Sequence, residues 1–214
     1  ALFYIPPMLM LKLQAVPSNR ANQDRGHVMS RLVSSSQPRT SLVRWALFVI
    51  PVIMLLGSLS GLVAGSTTQN AWYQTLIQPA AQPPGWVFGV VWPTLFFLMG
   101  LAFAMVLHAR GSRYQTPSIA LFVTQFLINL TWSPVFFHYH KVTAAFYIIL
   151  VMLVMAIATT VAFARVRKAA AWLMVPYLVW ISFAAILNFQ IDNLNPDAES
   201  LYVPAVTSQI GSGG

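Results

Sequence analysis

Five stretches of this chain run for about twenty residues each without a single Asp, Glu, Lys or Arg: Trp45–Ala64, Trp86–Leu107, Ile119–Phe137, Val142–Ala164 and Ala169–Ile191. No other feature restricts the fold so strongly. At ~1.5 Å of rise per residue, ~20 helical residues cover the ~30 Å hydrocarbon core of a bilayer. Inside that core each backbone N–H and C=O must find a partner in the protein, which leaves helices and closed barrels. The runs lack the polar–apolar alternation that a barrel needs. The expectation is an all-α integral membrane protein, a bundle of five transmembrane helices. Composition agrees: 57% of the 214 residues are hydrophobic and 7% are charged, against about 25% charged in a soluble domain. The chain has no cysteine, which removes disulfides, thiolate chemistry and Cys-ligated metals.

Basic residues set the expected orientation. Lys12, Arg20, Arg25, Arg31, Arg39 and Arg44 precede the first span, Arg110 and Arg113 follow the second, and Arg165, Arg167 and Lys168 follow the fourth. Lys141 alone sits on the other side. The N-terminus is therefore expected on the cytoplasm-like face and the C-terminus across the membrane. This asymmetry accounts for most of the net charge of +8, and no separate basic patch points to nucleic acid. Residues 1–41 are read as an N-terminal extension, either a targeting segment or sequence upstream of a start at Met29. Residues 42–195 form the transmembrane domain. Residues 196–214, ending in IGSGG, are expected to be a flexible tail, with that ending not native.

The connection between the first two spans is unusual. Residues 72–92 read WYQTLIQPAAQPPGWVFGVVW, and Gly65–Pro84 carries no charge. Surface connections are normally polar. An uncharged, proline-rich connection fits a lid over an intramembrane pocket, with Trp72 and Tyr73 folding onto an apolar ligand.

Three spans carry aromatic and amide stripes at helical spacing. They are Phe88, Trp92 and Phe96 on the second; Gln125, Asn129, Trp132, Ser133 and Phe136 on the third; and Tyr177, Trp180, Ala184 and Asn188 on the fifth. Two readings stand side by side: a pocket for a flat apolar molecule, or helix packing. For Gln125 and Asn129 the corresponding pair is ligand contact or interhelical hydrogen bonding. Trp86, Tyr139 and Trp172 lie near span ends and read as interfacial anchors. Pro134 removes the donor that the Leu130 carbonyl would use. Gly57, Gly61 and Gly65 form a GxxxGxxxG ridge suited to close helix packing. His108, His138 and His140 read as helix-end and turn residues rather than a metal site, for lack of carboxylate or thiolate companions. The spans hold no ionisable carboxylate, Lys or Arg of the kind that ion-coupled transport uses. Neither a phosphate-binding glycine loop nor a nucleophile–base–acid set is present.

The segments WYQTLIQPAAQPPGWVFGVVWPTLFFLMGLA, QFLINLTWSPVFF and VPYLVWISFAAILNF carry the patterns WY-x-x-L-x-x-P, PP-x-WVF, N-x-x-W-[ST]-P and PY-x-x-W. In these the chain resembles the TspO/MBR family of tryptophan-rich sensory and translocator proteins. The resemblance implies a five-helix protein, often a homodimer, that binds protoporphyrin IX or haem as ligand, requires no cofactor, and takes part in tetrapyrrole regulation or stress signalling. It places ligand contacts at Tyr73, Trp92, Phe96, Asn129, Trp132, Ser133, Phe136, Trp180 and Ala184. Some members promote light- and oxygen-dependent porphyrin breakdown, and the tryptophans implicated there match Trp92 and Trp180. A sterol or small-solute carrier, or a scaffold, is a further alternative. The chain departs from the family pattern at Ala81, where an aromatic is frequent, and at Gln78, where a lysine is. The stretch Asn188–Asp192 lacks the base of the proposed sterol motif.

Overall fold

The computed structural model describes residues 37–109 and 111–201, and the bundle is the compact unit that starts at Leu42. The helices are α1 (Gln37–Val63), which enters this unit at Leu42, the short α2 (Ala71–Thr75), α3 (Gly85–His108), α4 (Gln115–Ser133), α5 (Val142–Val166) and α6 (Lys168–Leu194). A π-helical turn, Pro134–His138, extends α4, and a 3-10 turn, Ala198–Ser200, follows α6. Five of these segments are long and apolar enough to cross a membrane: Ser41–Val63, Gly85–His108, Gln115–His138, Val142–Val166 and Lys168–Leu194. The expected five-helix bundle is thus the observed one. The readings of residues 1–36 and of the tail beyond Leu201 lie outside the described residues.

In lipid the apolar surface of a helix gains little by leaving its surroundings, so close packing and interhelical hydrogen bonds hold spans together. Both are present. Ala102, Ala104, Ala145, Ala156 and Ala170 are fully buried, letting backbones approach. At the centre, Asn129 Nδ2 donates to Tyr177 Oη at 3.0 Å and lies 3.2 Å from Met152 Sδ, joining α4, α6 and α5. Nearer the end of α6, Asn188 Oδ1 accepts from Trp132 Nε1 (3.2 Å) while its Nδ2 donates to the Val142 carbonyl (3.1 Å). Such bonds are each worth about 0.6–1.7 kcal/mol in a membrane.

The Leu130 carbonyl, deprived of its helical donor by Pro134, accepts from Ser60 Oγ of α1 at 2.6 Å. A helix interrupted by proline is tolerated in a membrane when a neighbour re-satisfies the freed group, and here α1 does so.

The glycine ridge on α1 is not one seam. A Cβ on Gly57 would lie 2.4 Å from ring atoms of Phe96, so this position is the close approach between α1 and α3. Gly61 is roomy, with Ser66 Cβ the nearest atom at 3.8 Å. Gly65 lies beyond the helix, at φ +66. There Ser66 N–H bonds the Gly61 carbonyl (2.9 Å) and Gly65 N–H the Leu62 carbonyl (3.1 Å), the Schellman arrangement that ends a helix on a left-handed glycine. The ridge expectation is corrected accordingly: one contact, one open position and one cap. Gly57→Ala should cost about 1–3 kcal/mol through overpacking, because Phe96 is itself held by Trp92 and Phe126. Gly61→Ala should be neutral or stabilising by up to about 1 kcal/mol. Thermal melting of the two variants in detergent tests the contrast.

The ends are defined by their contacts. At one, the proximal end, α4 and α6 begin and α5 finishes; Arg165 of α5 sits over the Tyr114 ring at the start of α4. At the distal end, α5 begins beside the end of α6, where Thr143 donates to Asp192 (2.7 Å). Also at that end, Lys141 pairs with Glu199 at 2.7 Å.

Candidate functional site

The loop between α1 and α3 is an anchored cap. Asn70 caps α2 by accepting from Tyr73 N–H at 3.0 Å. This Asn-led start is what sequence chemistry favours at a helix N-terminus. Trp72 is 2% exposed. Its ring stacks on His140 (centroids 4.2 Å apart) and meets Phe136 edge-on at 5.6 Å. Its Nε1–H donates to the Ala198 carbonyl at 3.0 Å. Asn195 imitates a strand partner: its Oδ1 accepts from Ile77 N–H (2.7 Å) and its Nδ2 donates to the Ile77 carbonyl (3.0 Å). Trp72 is therefore committed to holding the loop down, which corrects the reading that it is free to fold onto a ligand. Ala198 is buried, so the first residues of the expected tail belong to this cap. Asn195 continues the α6 stripe seven residues after Asn188, the one signal that could have marked it; Ala198 carried none.

Tyr73 faces the aromatic residues below, with Phe137 at 5.4 Å and Phe136 at 6.2 Å. Its hydroxyl accepts from Gln82 Nε2 at 2.8 Å, and burial raises its pKa above the ordinary tyrosine value. The second half of the loop is thereby tied to Tyr73, whose carbonyl also accepts from Gln78 Nε2 at 3.1 Å.

His140 occupies a left-handed backbone conformation (φ 56). Burial, with His138 as a second influence, pushes its pKa below the ordinary imidazole value. The folded state therefore takes up a proton less readily than the unfolded chain. The stability tied to neutral His140 is complete above about pH 6.5 and declines as pH falls below that. Hydrogen exchange across residues 71–77, corrected for intrinsic rates, should be faster at pH 5.5 than at pH 7.5, and His140→Gln should remove the difference.

The expected ligand residues fall into two groups. Trp132 and Phe136 stack at 5.1 Å beneath the loop; the π-turn at Pro134 carries Phe136 to this position, and Ser133 is half-buried just before it. Trp92 and Phe96 pair at 5.5 Å on α3, and Trp180 of α6 meets Phe88 of α3 edge-on at 5.5 Å. Trp92, Trp132, Trp180 and Ala184 are all partly buried against one core. Asn129 has its amide nitrogen engaged with Tyr177 and Met152, which favours the interhelical role for that atom.

A groove of about 720 Å³ runs between α3 and α6, lined by Val90, Val91, Thr94, Leu98, Val179 and Trp180 among others. Of the expected ligand residues Trp180 alone lines it. Its indole Nε1–H is buried with no hydrogen-bond partner, which costs free energy unless a guest supplies an acceptor. Both side-chain ends of fully buried Gln125 are likewise unpartnered. Among the described residues no three His, Cys, Asp or Glu come together as a metal site.

The chain matches the model of the TspO/MBR family over residues 48–194. It is 42% identical over 138 residues to the tryptophan-rich protein TspO of Chlorobaculum tepidum, spanning 62% of this chain and 87% of that protein. It is 36% identical over 156 residues to the tryptophan-rich sensory protein of Cereibacter sphaeroides, spanning 71% and 92%. It is 36% identical over 120 residues to the human translocator protein, spanning 55% and 71%. With five helices among the described residues long and apolar enough to cross a membrane, this is a multi-pass integral membrane protein, and the chain belongs to the TspO/MBR family.

Proposed function

We propose that this protein is a membrane receptor or translocator that binds a flat, apolar tetrapyrrole such as protoporphyrin IX within the bundle. The observation that carries the reading is the set of half-buried indoles, Trp92, Trp132 and Trp180, around one core; Trp180 also lines an apolar groove and has a buried indole N–H without a partner. Large planar ligands draw affinity from aromatic area, and a few polar groups set their pose. Tyr73, Ser133 and Asn129 are the polar candidates. The concentration of basic residues at the proximal end supports an orientation with that end on the cytoplasm-like face. The names of the relatives, sensory and translocator proteins, support a receptor-type role.

Titration of the purified protein with protoporphyrin IX, haem and a sterol, followed by tryptophan quenching, tests the reading. Saturable quenching by a porphyrin with a weaker sterol response is expected. No saturable response to either porphyrin would end it. Aerobic illumination of the loaded protein then separates binding from porphyrin breakdown: a stable absorbance spectrum marks a receptor, and a decaying one dependent on Trp92 and Trp180 marks a photo-oxidase.

A further inference from the structure

The proximal end carries a cation cluster that ligand binding inside the bundle does not use. Arg113 lies with its guanidinium carbon 4.7 Å from the centre of the Tyr114 ring, and its Nη2 donates to the Tyr114 hydroxyl at 2.6 Å. Arg165, from the last turn of α5, approaches the same ring at 5.3 Å. Two guanidiniums from different helices thus share one aromatic platform. Arg167 and Lys168 follow immediately at the start of α6, and all four cations are exposed. Among the described residues the carboxylates are Asp192, Asp197 and Glu199, which all belong to the distal end. Among those residues the one ion pair is Lys141 with Glu199, also distal. The proximal cations therefore repel one another with no anion of the described chain between them.

The geometry points to a phosphate clamp for the headgroup of an anionic membrane lipid, formed by Arg113 and Arg165, which both meet the Tyr114 ring. Guanidinium forks match phosphate oxygens in a bidentate way that a lysine ammonium does not. The aromatic ring they share belongs to the residue that caps the start of α4, and tyrosines at helix ends are enriched at headgroup depth. The apolar side of the molecule is supplied directly below. Val161 and Ile157 are spaced at four-residue intervals from Arg165 on α5, share its face and are exposed. A headgroup held at Arg165 lays its acyl chains along that stripe, an arrangement that free phosphate has no use for. Anionic lipids attract such juxtamembrane bases.

The test uses the purified full-length protein in a neutral detergent, with thermal stability read as lipid is added. Short-chain phosphatidylglycerol should raise the melting temperature by several degrees more than phosphatidylcholine. Arg113→Gln/Arg165→Gln should lose most of that difference, raising the half-saturating lipid concentration at least about tenfold. Arg44→Gln/Arg167→Gln, with the same charge change at the same end, should keep it. Arg113→Lys/Arg165→Lys should lose a clear part, because the charge remains and the fork is gone. Equal losses in the two glutamine variants, or full retention in the lysine variant, would overturn the clamp in favour of diffuse attraction. Inorganic phosphate at millimolar concentration should neither raise the melting temperature nor compete with the lipid; if it does both, the assignment to a lipid fails and the site takes soluble phosphate.

Discussion

Replacing Trp92 and Trp180 together by alanine will weaken protoporphyrin IX binding by at least about tenfold, or ~1.4 kcal/mol, when followed by the ligand's own fluorescence. An aromatic pair is worth ~0.5–1.5 kcal/mol beyond the area it buries, and both residues are half-buried members of the same core. The matched control is Trp86→Ala/Trp172→Ala, at positions 72% and 73% exposed. Interfacial anchors of this kind should change affinity by no more than about twofold, because they face the bilayer boundary. Unchanged affinity in the first pair, with both variants still folded by circular dichroism, would show that the aromatic stripes serve packing alone.

The largest stability effect is expected at Trp72. Trp72→Ala should cost about 3–5 kcal/mol, the usual range for deleting a buried aromatic, and lower the melting temperature by roughly 10 °C. The substitution removes the stack on His140, the edge-on packing against Phe136 and the hydrogen bond to Ala198 at once. Trp72→Phe keeps ring area but strands the Ala198 carbonyl, and should cost about 1 kcal/mol. The loop should also become the first site of limited proteolysis in the alanine variant. A melting temperature within a degree or two of the parent would mean that the loop merely rests on the bundle.

The five spans were legible because their signal is a sum over about twenty neighbours along the chain. Small errors at single positions did not matter to it. Boundaries were less so: the third span was expected from Ile119, and α4 begins at Gln115, since a polar first turn is invisible to hydropathy. The orphaned Leu130 carbonyl was also legible, because Pro134 creates it locally. Its partner, Ser60, stands seventy positions away, and nothing in the chemistry of a serine in an apolar run announces that role. The same holds for the cap. Asn195 reads as the last residue of the transmembrane domain and Ala198 as a tail residue, yet they receive Ile77 and Trp72. Gln82 reads as one polar residue in a loop, yet it holds the Tyr73 hydroxyl. Asn129 could be placed on a stripe but not assigned a partner; packing put Tyr177 and Met152 beside its amide.

What the amino-acid order determined by itself was the number of spans, their length, the aromatic stripes and the charge asymmetry of the ends. Each is a property of a segment considered alone, set by transfer of its side chains between water and hydrocarbon. What the tertiary structure decided was which of those side chains meet. It made Gly57 a close approach and Gly65 a cap, turned Trp72 into an anchor, left the Trp180 N–H without a partner and brought two arginines onto one tyrosine ring. Those outcomes depend on distances between segments. Such distances follow from how the helices pack, and packing in lipid turns on fits a few tenths of an ångström wide that no single segment encodes.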